Sequence, residues 1–509
     1  MLLERTRGVR DYFAARFSDQ DPIQRAVSAT GYAQAIAVAL SLEALLAQGE
    51  SSITPVELDA LVSHCTARGA PNFAMQAQVG CVPSVSDPGA LVEPFDRVIW
   101  WQMGAPSLPG HYPWSRSERD TLAQAGVELP HLDEVLAQRG QDWLRPILNT
   151  RKHLVLVLPP PGEEIHPLWQ EIQWCVDGLR PEPLEDLVTG RAGEDLLEVA
   201  HAPLPRRRRW WNLPSEVKIS IRPHESYSSL NTFLNAPYQW VLKYPARLNP
   251  SNLLAVTDEN RLYGNLAHRL IERFFRTGGA QAFRGDVLKA WFSQQFDMVV
   301  AEEGAVLLMP GRCGDYERLR AVLGRALEEI QRQFRAAGVV LVEPERDLAG
   351  TFPGGDLKGQ ADLVVHNKSG QQAIVDMKWA GANSNQDRLA KNRHLQLAIY
   401  AEMLRQETGA QPQVSYFILE GSRLLASDTG FFPEARVVQS GSSGASSPLW
   451  DQFVTAWKWR RSQLDAGMIE VAVDGIEPTP ESEGPPGALK PEELREAYNE
   501  YRWLAGWED

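Results

Sequence analysis

The pattern of apolar and polar positions is sharpest between residues 359 and 404. Gly359-Gln360-Ala361-Asp362-Leu363-Val364-Val365 passes from polar to apolar around one acid, and Ile374-Val375-Asp376-Met377-Lys378 sets an acid-x-lysine triplet into a second apolar run. Both runs read as strands. Side chains alternate faces along a strand, so Asp376 and Lys378 project to one side and Met377 to the other. Paired as a hairpin through residues 366–370, the runs bring Asp362 toward Asp376 at a sheet edge. Residues 388–404 read as a helix, with Leu395, Ile399, Met403 and Leu404 at helical spacing and Gln396 and Tyr400 on a shared face. Residues 263–275 read as another, placing His268 above Glu272, and residues 319–336 as a long one.

The first 200 residues carry a different pattern. Residues 1–70 read as helical, above all Gly31 to Gln48, where alanine and leucine dominate. Phe95 to Gly104 reads as a buried strand ending in a turn. Beyond Pro109 and Pro113, Arg116 to Gly126 reads as a helix stopped by glycine, and Leu148 to Leu158 as a helix end passing into a strand. The expected layout is α/β throughout. A helical plus α/β region covers 1–200 and a Pro/Arg-rich connector 201–220. A mixed sheet flanked by helices covers 221–470, and a linker with a C-terminal helix 471–509. Residues 439–447 are expected to form a flexible loop and residues 477–486 an extended linker.

The hairpin also carries the candidate chemistry. Two carboxylates suit a hard divalent cation, which takes oxygen ligands and leaves room for waters and phosphate oxygens. Such a cation lowers the pKa of a bound water and polarises a phosphoryl oxygen. Lys378, beside that charge, can orient the attacking water or stabilise charge growing on phosphorus. A lone Asp-x-Lys is far more often an exposed strand face with a cross-strand ion pair, and a lone helical histidine more often structural than a ligand. What changes the weighing is their order along the chain: Gly264-x-x-x-His268, Gly359-x-x-Asp362, Asp376-x-Lys378, Gln396-x-x-x-Tyr400.

These four motifs, spread over about 140 residues, resemble the RecB-like branch of the PD-(D/E)xK nuclease superfamily. The resemblance implies a restriction-endonuclease-like fold and a Mg²⁺- or Mn²⁺-dependent deoxyribonuclease leaving 5′-phosphate and 3′-hydroxyl ends. It implies that His268, Asp362, Asp376 and the Met377 carbonyl bind the metal. Lys378 would then be the catalytic lysine, and Gln396 and Tyr400 would lie by the DNA. Upstream, residues 226–240 resemble the segment that opens AddB-type nuclease domains, with Ala236 where iron–sulfur members carry a cysteine. The closing segment, residues 498–507, resembles theirs without its cysteines, so no iron–sulfur cluster is expected; contacts among Tyr498, Tyr501, Trp503 and Trp507 would hold the ends together instead.

The segments at 95–104, 116–126 and 148–158 resemble, in that order, the second RecA-like domain of RecB/AddB-type helicases, with Thr150-Arg151 as a remnant of a longer motif. The phosphate-cradling G-x-x-x-x-G-K-[ST] loop does not occur, so no ATP use is expected and a separate helicase, ATPase or defence-system protein would supply any drive. Repair of DNA ends and degradation of foreign DNA are the two settings this suggests.

Charge and cysteines adjust the picture only slightly. A net charge of −14 opposes bulk attraction to nucleic acid but leaves room for local basic surface. The clearest such cluster is Arg206-Arg207-Arg208-Arg209 followed by Trp210-Trp211, either a DNA-contacting strip or a solvated linker whose tryptophans dock it on the core. Cys65, Cys81, Cys175 and Cys313 lack metal-ligand spacing, the N-terminus lacks the apolar core of a signal peptide, and the apolar stretches at 98–101 and 154–158 are too short to span a bilayer. A cytoplasmic protein with no membrane partner is expected. A non-catalytic DNA-binding or scaffold subunit that keeps the nuclease fold is the rival reading, and an RNA substrate stays open.

Overall fold

The hairpin is the centre of a seven-stranded mixed sheet in the computed structural model of the chain. The structure describes all residues except 1, 17–21, 48, 67–78, 81, 86, 107, 109–113, 128, 190–204, 250–258, 279–284, 309–311, 440–448, 474–475, 493–498 and 507–509. The described chain divides into two compact units. The larger contains residues 1–80, 206–250 and 256–509, and the smaller residues 81–205 with 251–255. Residues 1–80 therefore cluster with the sheet rather than with the α/β segment that follows them.

In the larger unit, α1 (Leu2–Ala14), α2 (Pro22–Ala47) and α3 (Pro55–Thr66) pack as a helical group, and α2 also meets a long helix of the sheet layer. Ala35, Val38, Ala39 and Leu42 make the buried stripe of α2 at helical spacing. The expectation of no membrane-length apolar segment needs correction here: Val27–Ala47 has a mean hydropathy of 1.4 and is long and apolar enough to cross a bilayer, although 22% of it is already buried. Alanines interleaved with Ser, Thr and Gln raise its average without producing an unbroken apolar run.

The smaller unit holds β1 (Phe95–Trp100), α4 (Arg116–Gln124), α5 (Leu132–Leu148), β2 (Thr150–Leu156), α6 (Leu168–Cys175) and α7 (Leu184–Val188). β1 and β2 pair in parallel, which the crossover through α4 and α5 allows. Ser115 caps α4 in a reciprocal capping box with Glu118, and Gly126 follows its end at φ +82°, so the glycine stop read from the pattern is real. Pro109 and Pro113 lie outside the described residues.

The sheet layer begins with β3 (Trp210–Asn212), β4 (His224–Glu225), α8 (Tyr227–Asn235), α9 (Pro237–Lys243), α10 (Glu259–Arg276), α11 (Asp286–Glu303) and α12 (Cys313–Ala336). It continues through β5 (Val339–Phe352), β6 (Gly355–Asn367), β7 (Gln372–Lys378), α13 (Ala382–Ala390), α14 (Leu395–Thr408), β8 (Gln413–Ile418), β9 (Arg423–Ala426), β10 (Arg436–Val437), α15 (Leu449–Asp465) and β11 (Met468–Glu470). Strand order is β10-β9-β8-β7-β6-β4, with β5 also on β6. Alternation along the strands serves two cores. Val364, Ile374 and Tyr416 face α8, α14 and α15, while Leu363, Val375, Met377 and Phe417 face α10, α11 and α12.

Two details depart from the pattern. The helix expected over 388–404 is two helices, because Asn392 takes φ +50° and His394 starts the second one. The stretch at 477–486 contains a 3-10 turn, Pro480–Ser482, and in the terminal segment the described helical residues are the 3-10 turn Arg502–Ala505. Tyr498, Trp507 and most of the 439–447 loop lie outside the described residues.

Candidate metal centre and strand groove

The sheet opens at Asp362 on both sides. The β6–β7 ladder ends at Leu363↔Val375, one step before Asp362 would face Asp376. There the Met377 N–H donates to Asp362 Oδ2 at 2.6 Å, so a side chain replaces the next ladder bond. The β5–β6 ladder runs to Pro344↔Leu363 and resumes at Arg346↔Ala361, stepping over Glu345, whose φ is +48°. A glutamate held in the left-handed region costs on the order of 1–3 kcal/mol, and such outliers gather at functional sites. β6 lies between β5 and β7, so the site sits within the sheet, not at its edge as the hairpin alone suggested.

α10 supplies the imidazole. Leu262, Leu266, Leu270 and Phe274 are buried on its inner face, which fixes the rotation that turns His268 toward the opening. His268 Nδ1 lies 3.4 Å from Glu345 Oε1 and 3.6 Å from Asp362 Oδ1, and the three residues offer ligand atoms within 4.8 Å of one another. Asp376 is 1% exposed. Lys378 Nζ lies 2.7 Å from its Oδ2 as an ion pair, and among the described residues neither Asp376 oxygen accepts a hydrogen bond from any other group. The same ammonium donates to Gln396 Oε1 at 2.9 Å, so α14 orients the lysine from the opposite layer.

These acids are held in the wrong medium for their charge. Burial, then the neighbouring Asp376 carboxylate, pushes Asp362 up to about 7. Burial likewise raises Asp376, against the pull of Lys378. Burial opposes charge on Lys378, but Asp376 outweighs it and the lysine stays above its ordinary value. For His268 too, burial is overcome by Glu345 and Asp362 and the net movement is upward. With Asp362, Asp376 and Glu345 ionised, Lys378 charged and His268 neutral, as a ligand must be, the formal surplus is three minus one, two negative charges. A divalent cation balances that surplus, and oxygens with one imidazole suit Mg²⁺ or Mn²⁺. The donor set fits such an ion.

A groove of about 780 Å³ runs over the site, lined by Gly264, His268, Glu345, Met377 and Lys378 among others. Gly264 lines the groove, and among the described residues a Cβ there would meet only Trp379 Cβ, at 4.0 Å. Gly359 is small for a packing reason. A Cβ on it would lie 2.8 Å from Tyr400 Cε1, because the Tyr400 ring packs over β6. Tyr400 is 8% exposed and does not line the groove, and neither does Gln396. Within the protein, Tyr400 packs on Gly359 and Gln396 holds Lys378.

Two arginines of the cluster, Arg207 and Arg209, are held by partners within the sheet layer. Arg209 Nε donates to Glu470 Oε1 at 2.9 Å and its Nη1 to the Ile476 carbonyl, while Arg207 Nε donates to the Gly506 carbonyl. Trp210 and Trp211 lie in β3, paired with β11, so the segment is stitched onto the sheet layer. Arg206 and Arg208 are exposed, and none of the four arginines lines the groove. Glu345 was missed by sequence reasoning. The run Glu343-Pro344-Glu345-Arg346 offers two acids, and which one turns inward depends on a positive φ that no pattern announces.

Residues 224–476 match the family model described as PD-(D/E)XK nuclease superfamily. Among solved structures, the chain is similar to one from Eubacterium rectale titled "Putative exonuclease", at 12% identity and a TM-score of 0.30, covering 51% of this chain and 90% of that one. No curated protein matches the chain.

Proposed function

We propose that this chain, which carries a PD-(D/E)XK nuclease superfamily domain over residues 224–476, is a Mg²⁺- or Mn²⁺-dependent deoxyribonuclease of the RecB-like kind. One observation carries the reading. Asp376 is buried, paired with Lys378 and, among the described residues, without any other hydrogen-bond partner, beside the cluster of His268, Glu345 and Asp362. Burying such a carboxylate is costly unless a cation completes it.

His268, Asp362 and Glu345, whose ligand atoms lie within 4.8 Å of one another, would hold the ion, with Asp376 and the Met377 carbonyl as the further ligands the motif resemblance implies. When bound, the ion supplies a more acidic water and a polarised phosphoryl oxygen. Lys378, fixed between Asp376 and Gln396, orients the attacking water and offsets charge building on phosphorus. The water oxygen bonds to phosphorus and gives up a proton to solvent, the bond from phosphorus to the 3′ oxygen breaks, and that oxygen takes up a proton from solvent to leave as a hydroxyl. The 5′ end keeps the phosphate.

The parallel β1–β2 pair joined through α5 supports a motorless helicase remnant in the smaller unit, working beside a separate motor in DNA repair or defence. The test is incubation of purified protein with end-labelled single-stranded and duplex DNA, with Mg²⁺, Mn²⁺ or EDTA. Metal-dependent cleavage that Asp376→Ala abolishes is expected. Absence of cleavage under every metal would favour the scaffold reading, and DNA-stimulated ATP hydrolysis by this chain alone would overturn the motorless one.

A further inference from the structure

The groove does not stop at the metal centre. Its α10 wall presents Arg261, Asn265, His268, Arg269, Glu272 and Arg276, all on one helical face. At ~1.5 Å per residue, Arg261 lies ~10 Å along the axis to one side of His268 and Arg276 ~12 Å to the other. The rise per phosphate along a duplex axis is ~3.4 Å and the spacing along the strand itself is longer, so each arm reaches past the scissile phosphate to its neighbours. Cations stand on both sides of the site.

The C-terminal arm is built, not merely populated. Glu272 is 9% exposed, and from that fixed position it pairs with Arg269 Nη1 at 3.0 Å and Arg276 Nη2 at 2.8 Å. Glu303 takes Arg269 Nε at 2.9 Å. The Arg276 side chain nonetheless stays 62% exposed and that of Arg269 41%. A guanidinium has five donors in a rigid fork, so one or two bonds to carboxylates set its direction and leave donors for a phosphate. Arg261, exposed at the other end of the face, provides the cation of the second arm.

We propose that the α10 face is a two-armed phosphate track that lays a DNA strand through the groove with the scissile phosphate in its middle. The enzyme then cuts internal bonds and needs no free end. This deepens the proposed function and rests on it for the chemistry, but the track itself makes a separate claim about binding.

Two measurements test it. The first offers closed single-stranded circles and linear single strands of the same sequence with Mn²⁺. Cutting of the circles is expected; degradation of linear strands with intact circles would overturn the track while leaving the nuclease reading standing. The second measures binding of a linear single strand by the full chain in EDTA across a salt series, for the wild type, Arg261→Ala and Arg276→Ala. Each loss of one phosphate contact should lower the slope of log affinity against log salt by about 0.7. An unchanged slope in either variant would remove that arm and with it the proposal. If nothing is cut but both slopes fall, the track stands and the nuclease reading fails.

Discussion

At the scale of single residues, the site stores unfavourable charge that a metal ion relieves. Asp362 is raised from the usual carboxylate range to about 7. As pH climbs from about 4 to about 7, the unfolded chain therefore loses this proton before the folded chain does. The resulting penalty on the metal-free fold is absent below the unfolded value and complete above about 7. Asp362→Asn keeps an oxygen for the Met377 N–H and removes that penalty. In EDTA its melting temperature should exceed the wild type at pH 8, by on the order of 2 kcal/mol in stability, with no gain near pH 4. A gain that grew on acidification would contradict the assignment. Lys378 and Gln396 predict a kinetic split. Lys378→Ala should lower kcat by about 10²–10³ while calorimetry shows metal affinity retained, and Gln396→Ala should lower kcat by about tenfold because the lysine keeps Asp376 but loses its second partner. Collapse of metal affinity in either variant would make the lysine part of the ligand frame. The four motifs were legible because each fixes a residue type at a spacing, Asp-x-Lys by strand alternation and Gln-x-x-x-Tyr by helical pitch. Glu345 was not, since its inward turn comes from a backbone dihedral, and the duty of Gln396 was not, since it depends on a contact between layers.

Elements explain why two of those motifs travel together. Gly359 on β6 and Tyr400 on α14 are one contact, with a ring occupying the space where a side chain would be. Gly359→Ala should cost about 1–3 kcal/mol by overpacking. Tyr400→Leu, destabilising by itself, should reduce that cost in the double variant, a coupling that a double-mutant cycle of denaturation midpoints would read. Additive losses would show that the ring does not set the glycine. The pattern found this strand and this helix but joined α13 to α14, because Asn392 and His394 break the backbone inside a stretch whose composition still suits a helix. It also missed the bilayer-length hydropathy of α2, spread over interleaved alanines. Periodicity reports which face is buried, not where a chain pauses between two segments with compatible faces.

Across the larger unit, buried polar groups tie the segment at 238–248 to the C-terminal segment; of the aromatic residues the sequence suggested for this, Tyr501 takes part, and Tyr498 and Trp507 lie outside the described residues. Tyr238 Oη and Gln239 Nε2 both donate to Asn499 Oδ1, and Tyr501 Oη donates to the Leu248 carbonyl. Val79 N–H donates to the Glu500 carbonyl, tying residues 1–80 to the same tail. Deeper in, Glu470 of β11 pairs with both Arg460 of α15 and Arg209 beside β3; its side chain is 1% exposed and that of Arg460 2%. No spacing rule could have linked residues 209, 460 and 470, since the connection exists only once β3 lies against β11. Burial pulls the Arg460 pKa down while Glu470 opposes it, so this carboxylate is what keeps the buried cation tolerable. Truncating one partner of a buried ion pair leaves an uncompensated charge, a loss of about 3–5 kcal/mol. Glu470→Ala should therefore lower the unfolding midpoint by that amount, because it strands both arginines. Arg209→Ala should cost less, since its guanidinium is partly exposed and Arg460 still neutralises Glu470. If Arg209→Ala instead left stability untouched but weakened binding of DNA, the arginine would belong to a nucleic-acid surface and the anchoring role drawn from its contacts would fall.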